Sequence, residues 1–406
     1  MESGFSEIAA ILLRFAHVVA AIMWIGNSLL FTWMELRLIA RRSGAPDDDL
    51  IGHLDMLHGG GVFHLEKRIL RPGAIPVPLY WFKWQSYTTW LTGFSLLCVL
   101  FYRDGSTLAD ATRSDLSGPA SAGLSLAGLV IGWIYYDLLW RSPLGKNLWT
   151  GAIGTFVGIA AAAEFYGHYF NGRALYLQIG AMMATWMTAN VFVHIMGNQH
   201  RFMRALESGQ PHDPSFGKRA KSRSLHNHHL TFPVLFLMLS AHFPRLHAAD
   251  LRVPILLVTI LTLVAVKALM NARLHFRAWW IILTALVVSA TAIVAALIHR
   301  PSTSPVNPEI THGRQVFEAM ACGSCHMQGV AQIAPSLHGI YGTQQALADG
   351  TTVLIDESYL RESILTPQAK IAAGFAPAMP SFQDRLSEEE LSALIDYVRS
   401  LTPTNP

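Results

Sequence analysis

Charge is what this chain has least of. Only 14% of its 406 residues are Asp, Glu, Lys or Arg and 51% are hydrophobic, where soluble domains carry about a quarter charged residues. That balance excludes a soluble enzyme throughout and assigns most of the chain to lipid. The net charge of +3, from 30 basic and 27 acidic side chains, is too small to hold a nucleic acid. Cysteine is almost absent, with three residues, and no second C-x-x-C completes a zinc site or a disulfide framework. Flavin and nicotinamide fingerprints are missing too, which removes the commonest organic redox cofactors. No cleavable leader is expected, because residues 1–7 are acidic and the apolar run after them is too long for a signal peptide.

Two of the three cysteines stand in Cys322-Gly-Ser-Cys325-His326. Two thiols at this spacing, followed at once by histidine, are the residues that attach a c-type haem: the thiols add to its vinyl groups and the imidazole ligates the iron. Met379, in Ala-Met-Pro-Ser-Phe, offers the second axial ligand. Met/His ligation raises the iron's potential and leaves no open site for oxygen. Helices are expected over residues 310–321 and 387–401, the second capped by Ser387 with Glu388, Glu389 and Glu390 in its first turn. Pro335, Gly339 and Gly342 read as a loop wrapping the macrocycle. This segment, residues 309–406, resembles a small class I cytochrome c in its leading helix, C-x-x-C-H, Ala-Pro-Ser-Leu-His-Gly loop, Met-Pro-Ser-Phe and closing helix. Cys98, in an apolar run, is a small buried hydrophobe.

Apolar runs long enough to cross a hydrocarbon core of about 30 Å begin near Ile8, Leu79, Ala122, Leu148, Ala174, His229, Leu251 and Trp279. The expected fold is therefore all-α: a polytopic membrane bundle of about eight transmembrane helices over residues 1–300, a Pro/Ser/Thr linker at 301–308, and the cytochrome at 309–406. Sixteen Lys and Arg fall in loops after odd-numbered helices and six after even-numbered ones. The positive-inside rule then places the odd loops in the cytoplasm and both termini on the outer side. That is the periplasmic side of a bacterial inner membrane, where haem c is attached.

Histidine is abundant, at 18 residues, and intramembrane histidines are costly enough to be read as functional. His17 and His242 reach a similar depth and are expected to face each other across a haem b iron, one or two haem b relaying electrons across the membrane. For His168, His247 and His299, near helix ends, hydrogen bonding at the headgroups is the simpler reading. A cytoplasmic run, His58-Gly-Gly-Gly61-Val-Phe-His64-Leu-Glu66-Lys67-Arg68, precedes Trp81, Lys83, Trp84 and Gln85. Its glycines would let backbone N–H groups approach an anion and its bases and aromatic neighbours would bind a planar, negatively charged ring. A positive-inside amphipathic segment with an aromatic belt is the competing reading. Asn190, Gln199 and Asn227 serve either a substrate or helix packing.

The run at 58–68, W-F-K-W-Q-S-Y-T-T-W-L-T-G-F at 81–94, A-N-V-F at 189–192 with Gln199 beyond it, and H-N-H-H-L-T-F-P-V-L-F-L-M-L-S-A-H-F-P at 226–244, all followed by a cytochrome, are similar to the integral membrane urate oxidase (urate hydroxylase) family. The paired His228 and His229 depart from its pattern and take no ligand role from it. The resemblance implies oxidation of urate to 5-hydroxyisourate, a step of purine catabolism, with electrons passing to the chain's own haem c and then to a soluble cytochrome c or terminal oxidase, without hydrogen peroxide. Candidate catalytic residues are His58, His64, Glu66, Lys67, Arg68 and Gln199. The first helix, His17 followed by Trp24-Ile-Gly26, also resembles that of small membrane protoporphyrinogen oxidases, whose helix-borne histidine binds haem b. The alternative to urate chemistry is a quinol-to-cytochrome c conduit or a membrane anchor for a cytochrome.

Overall fold

The computed structural model describes residues 2–40, 49–72, 75–103, 105–110, 113–209, 215–248, 251–274, 276–299, 308–320, 322–326, 334–337 and 339–401. The chain divides into two compact units, Met1–Arg300 and Pro301–Pro406. The linker expected at 301–308 lies, apart from Pro308, outside the described residues, as do Arg41, Arg42 and Arg300 of the charge pattern.

The first unit is helical. Its elements are α1 (Glu2–Arg37), α2 (Trp84–Leu97, continuing as a π-helical turn Cys98–Tyr102), α3 (Gly118–Arg141), α4 (Leu148–Tyr169), α5 (Gly172–Ala189), a π-helical stretch Asn190–Met196, α6 (Gly197–Glu207), α7 (Ser215–Leu239), α8 (Pro244–Ala248), α9 (Arg252–Ala272) and α10 (Trp279–Ile298). Six of these are long and apolar enough to cross a membrane: α1, α3, α4, the continuous run Gly172–Glu207, α9 and α10. About eight were expected. The two that fall short are α2, which opens on Gln85, Ser86, Tyr87 and Thr88, and α7, which opens on Lys218, Arg219, Lys221 and Arg223. Both pack against other helices, α2 on α1 and α7 on α5, which buries Ser86 and Arg223 but leaves Thr88, Lys218, Arg219 and Lys221 exposed. By contrast α10 packs along α9 but buries none of its residues fully, and a helix apolar on all sides is of the kind that lipid surrounds.

The core gathers on α5, where Leu175, Tyr176, Ile179, Met183 and Trp186 are fully buried, with Tyr136 of α3 against them. Tyr136 stacks on Trp186 at 4.8 Å between ring centroids. Buried polar groups here bond one another: Ser125 Oγ donates to Gln178 Oε1 at 2.5 Å, Gln178 Nε2 donates to the Ser125 carbonyl at 2.9 Å, and the Tyr102 hydroxyl lies 2.9 Å from Ser125 Oγ, as an apolar interior requires. Near its C-terminal end α7 contains Pro233, stops at Leu239, and yields to a 3-10 turn Ser240–His242 before Pro244 opens α8. Proline at that place cannot continue the helix before it.

A small sheet interrupts the helices. Strands β1 (Ile39–Ala40), β2 (Leu50–His58) and β3 (Gly61–Arg68) pair antiparallel in that order. His58 pairs with Gly61 across a two-residue turn, and Gly59 and Gly60 adopt φ of 60° and 80°. Two consecutive positive φ values define the hairpin turn that glycine pairs favour. The glycines expected to cradle an anion are thus used to reverse the chain.

The second unit contains α11 (Pro308–Ala319), the short α12 (Gly323–His326), a hairpin of β4 (Gln344–Ala346) and β5 (Thr352–Leu354), α13 (Glu357–Leu365) and α14 (Glu388–Ser400). Ser387 caps α14 as expected: Ser387 Oγ accepts from the Glu390 N–H, and the Glu390 carboxylate accepts from the Ser387 N–H at 2.8 Å. That N–H, together with the Ser387 hydroxyl donating to the same carboxylate at 2.9 Å, holds the Glu390 carboxyl below its usual range. Helices α11 and α14 approach closely because position 313 has no side chain. A Cβ on Gly313 would overlap the Ala393 carbonyl, while Phe317 meets Tyr397 edge-on at 5.3 Å. Gly313→Val is therefore expected to force the two helices apart, at about 1–3 kcal/mol, and to lower the cytochrome unit's Tm by roughly 10 °C in a thermal melt.

Candidate functional site

The cytochrome unit encloses a cavity of about 370 Å³ lined by Cys322, Cys325, His326 and Met379 among apolar side chains such as Leu337, Ile340 and Phe382. The ligands expected from the sequence are thus brought to one space. His326 Nδ1 donates to the Pro335 carbonyl at 2.7 Å, which fixes the tautomer with Nε2 bare and available to iron. The methionine loop is tied down behind its side chain, Ser381 Oγ donating to the Leu365 carbonyl at 2.5 Å and the Phe382 N–H to the Ile364 carbonyl at 3.2 Å. Burial pushes the Cys322 thiol up, so it is present as the neutral thiol that adds to a vinyl group. An apolar slot, two thiols and a bare imidazole nitrogen with a thioether fit a haem c. Gly339 and Gly342 take φ of 68° and 81° in the loop between the two ligands, conformations open to glycine at little cost.

The membrane unit has its own cavity, of about 530 Å³, within the range of small-molecule sites. Its wall is built from Trp24, Asn27, Phe31, Thr32 and Glu35 of α1, from Trp81 and Phe82 just before α2 and Gln85 in its first turn, from Gln199 of α6 and from Asn227 of α7. Aromatic faces and neutral amides dominate it. Trp81 is held flat by stacking on His200, 4.8 Å between centroids and 18° between planes, and Phe31 meets Phe82 edge-on at 5.0 Å. Asn227 is fixed at both ends of its amide: Oδ1 accepts from Asn190 Nδ2 at 2.9 Å and Nδ2 donates to the Met187 carbonyl at 2.8 Å. Asn190 opens the π-helical stretch and is fully buried; it also donates to the Tyr136 hydroxyl at 3.1 Å, which is 2.8 Å from His226 Nδ1. Such an extra residue in a helix often marks a functional wall. Gln85 Oε1 is buried and has no hydrogen-bond partner. A buried acceptor left unpaired costs about 1–3 kcal/mol, and here it belongs to a residue of the cavity wall.

Of the residues singled out in the sequence, Gln199, Trp81, Gln85 and Asn227 line this cavity. His58, His64, Glu66, Lys67 and Arg68 do not. They lie on the exposed hairpin, where His64 is 2.6 Å from Asp55 and Arg68 is 2.7 Å from Glu66. Asp55 and Glu66 hold the exposed His64 imidazole above its ordinary range. Lys67 reaches the cavity only through Glu35, 3.0 Å away, which it shares with Lys221 at 2.7 Å. The histidines expected to flank a haem b are not brought together either. His17 Nδ1 lies 3.0 Å from the Thr89 carbonyl and 3.1 Å from Thr92 Oγ1, and its ring lies flush against Gly93 of α2. His242 is exposed in the 3-10 turn, whose neighbours are α5, α7 and α8. Neither lines the bundle cavity. His194 instead bonds Asp137 at 2.5 Å, a carboxylate that also meets Arg141 at 2.8 Å. The sequence reading missed Asn27, Thr32 and Glu35. Their signal was a polar stripe at helical spacing on an otherwise apolar helix.

A bundle with six membrane-length helices and an amide-lined cavity, joined to a unit shaped for haem c, defines a membrane-bound oxidoreductase of the cytochrome-carrying class. Residues 310–402 match the cytochrome c family. Residues 3–298 match the family described as urate oxidase N-terminal, and the chain belongs to that family. No curated protein matches it.

Proposed function

We propose that the protein oxidises urate to 5-hydroxyisourate in the bundle cavity and delivers the electrons to its own haem c, then to a soluble cytochrome c or a terminal oxidase. The balance is urate plus water giving 5-hydroxyisourate, two protons and two electrons. The observation that carries this reading is the unpaired, buried Gln85 Oε1 in a cavity of aromatic rings and amides, within a chain of the urate oxidase N-terminal family. Urate is a flat ring whose N–H groups would satisfy that acceptor. In this reading Trp81 and Phe31 hold the ring plane, Gln85 and Gln199 read its polar edge, and Asn227 stays rigid because both ends of its amide are engaged. Cys322 and Cys325 hold haem c covalently, with His326 and Met379 on its iron. Bound there, haem c supplies a one-electron acceptor closed to oxygen, so hydrogen peroxide is not a product. Counted over the eight apolar runs of the sequence, α2 and α7 included, the excess of Lys and Arg in odd loops supports both termini, and the cytochrome, on the periplasmic side.

Detergent-purified, oxidised protein offered urate or a quinol separates this from a quinol conduit. Urate is expected to reduce haem c; reduction by quinol with no response to urate would replace the proposal with the conduit. The hairpin gives an internal control. His64→Ala and Arg68→Ala, at exposed and locally paired positions, are expected to change the rate of urate oxidation less than about threefold, because surface ion pairs contribute little.

A further inference from the structure

One buried titratable side chain touches the cavity wall without belonging to it. His228 of α7 is 4% exposed. Its Nδ1 lies 3.3 Å from Thr32 Oγ1 on α1 and its Nε2 lies 2.9 Å from Asn271 Oδ1 on α9. A carboxamide oxygen can only accept, so Nε2 carries the proton of the neutral ring and Nδ1 is bare. That bare nitrogen faces a hydroxyl on a residue that lines the cavity. Thr32 Oγ1 donates to the Ser28 carbonyl at 2.9 Å, and a hydroxyl proton can turn from one acceptor to another. One turn before Asn271 on α9, Lys267 is 3% exposed with its ammonium 4.8 Å from the Phe232 ring centroid. Ionisable groups inside a membrane bundle are costly and mark proton or ion paths.

We propose that Thr32 and His228 form the path by which a proton leaves the substrate in the bundle cavity. This rests on the urate reading of that cavity, where two-electron oxidation releases two protons in a space walled mainly by neutral groups. In the step, a substrate N–H bond breaks and its proton binds Thr32 Oγ1 while the Thr32 O–H bond breaks and that proton binds His228 Nδ1. Threonine is restored, and His228 becomes an imidazolium whose Nε2–H remains on Asn271. His228 is faced by Thr32 on α1, by Asn271 and Lys267 on α9, and by His229 beside it. The Lys267 ammonium is the charged group that faces it, and His228 is the acceptor at which this step ends. Glu35, the carboxylate of the wall, is already engaged by Lys67 and Lys221. His228 thus acts through Thr32 and does not itself touch substrate.

The test uses the full chain with haem c attached, mixing urate with oxidised protein and following haem c reduction across pH. For the unmodified protein the rate should fall off in acid, where His228 Nδ1 takes up a proton and can no longer receive one from Thr32. His228→Gln and Thr32→Val are each expected to slow reduction about a hundredfold, to leave the urate concentration at half-maximal rate unchanged, and to flatten the pH profile. A purely structural role would alter the amplitude or the half-maximal concentration and keep the profile's shape; that result, or an unchanged rate, overturns the path. Should His228→Gln fail to fold, Thr32→Val, which only exchanges a hydroxyl for a methyl, carries the same expectation. Failure of urate to reduce the unmodified protein would instead overturn the substrate reading on which the path rests.

Discussion

Gln85→Leu is expected to cut urate-dependent haem c reduction by about ten- to a hundredfold while leaving the protein as stable as its parent or slightly more so. The two effects have one cause. Gln85 Oε1 is buried with no partner in the free protein, a state that disfavours folding by about 1–3 kcal/mol and is repaid only when a donor arrives. Leucine removes that acceptor at nearly the same volume, so the folded state loses a burden and the substrate loses a bond. Gln199→Leu should lower activity in the same range. A thermal melt alongside the single-turnover rate checks the pair; loss of stability in proportion to loss of activity would mean that Gln85 serves packing alone.

Cys322→Ser and Cys325→Ser are expected to impair covalent haem attachment and abolish electron delivery, with the membrane unit still folded, since Met1–Arg300 forms a compact unit of its own. Met379→Ala should behave differently. His326 keeps its bond to the Pro335 carbonyl and the thiols remain, so haem stays attached, but the sixth position opens, the spectrum becomes that of a five-coordinate or water-ligated iron, and the potential falls. Haem staining on a denaturing gel and an optical spectrum separate the outcomes. A Met379→Ala protein with the parent's spectrum and potential would show that another group closes the iron.

Cys322, Cys325, His326 and Met379, which line one cavity, stood out in the sequence because covalent attachment of haem demands fixed spacing, and Ser387 because a capping box is a local sequence event. The bundle site was readable only in part. Gln199 stood out as a polar group beyond an apolar run, whereas Asn27, Thr32 and Glu35 lay inside one long apolar helix where hydropathy averages them away. The hairpin was obscured for the opposite reason: β3 is exposed at every position, so no buried face imposes alternation, and the decisive sign was the Gly59-Gly60 pair between two extended runs. His17 and His242 show what depth alone leaves open. Counting residues along a helix gives height in the membrane and says nothing of the direction of the ring around the axis, and here His17 turns toward α2 while α7 has ended before His242.

The most direct measurement is an anaerobic titration of fully oxidised, detergent-purified protein with urate, followed in the haem c absorption bands. Two equivalents of haem c reduced per urate consumed, with 5-hydroxyisourate formed and no peroxide, is the predicted result. Haem c that accepts electrons from dithionite yet stays oxidised in the presence of urate would contradict it.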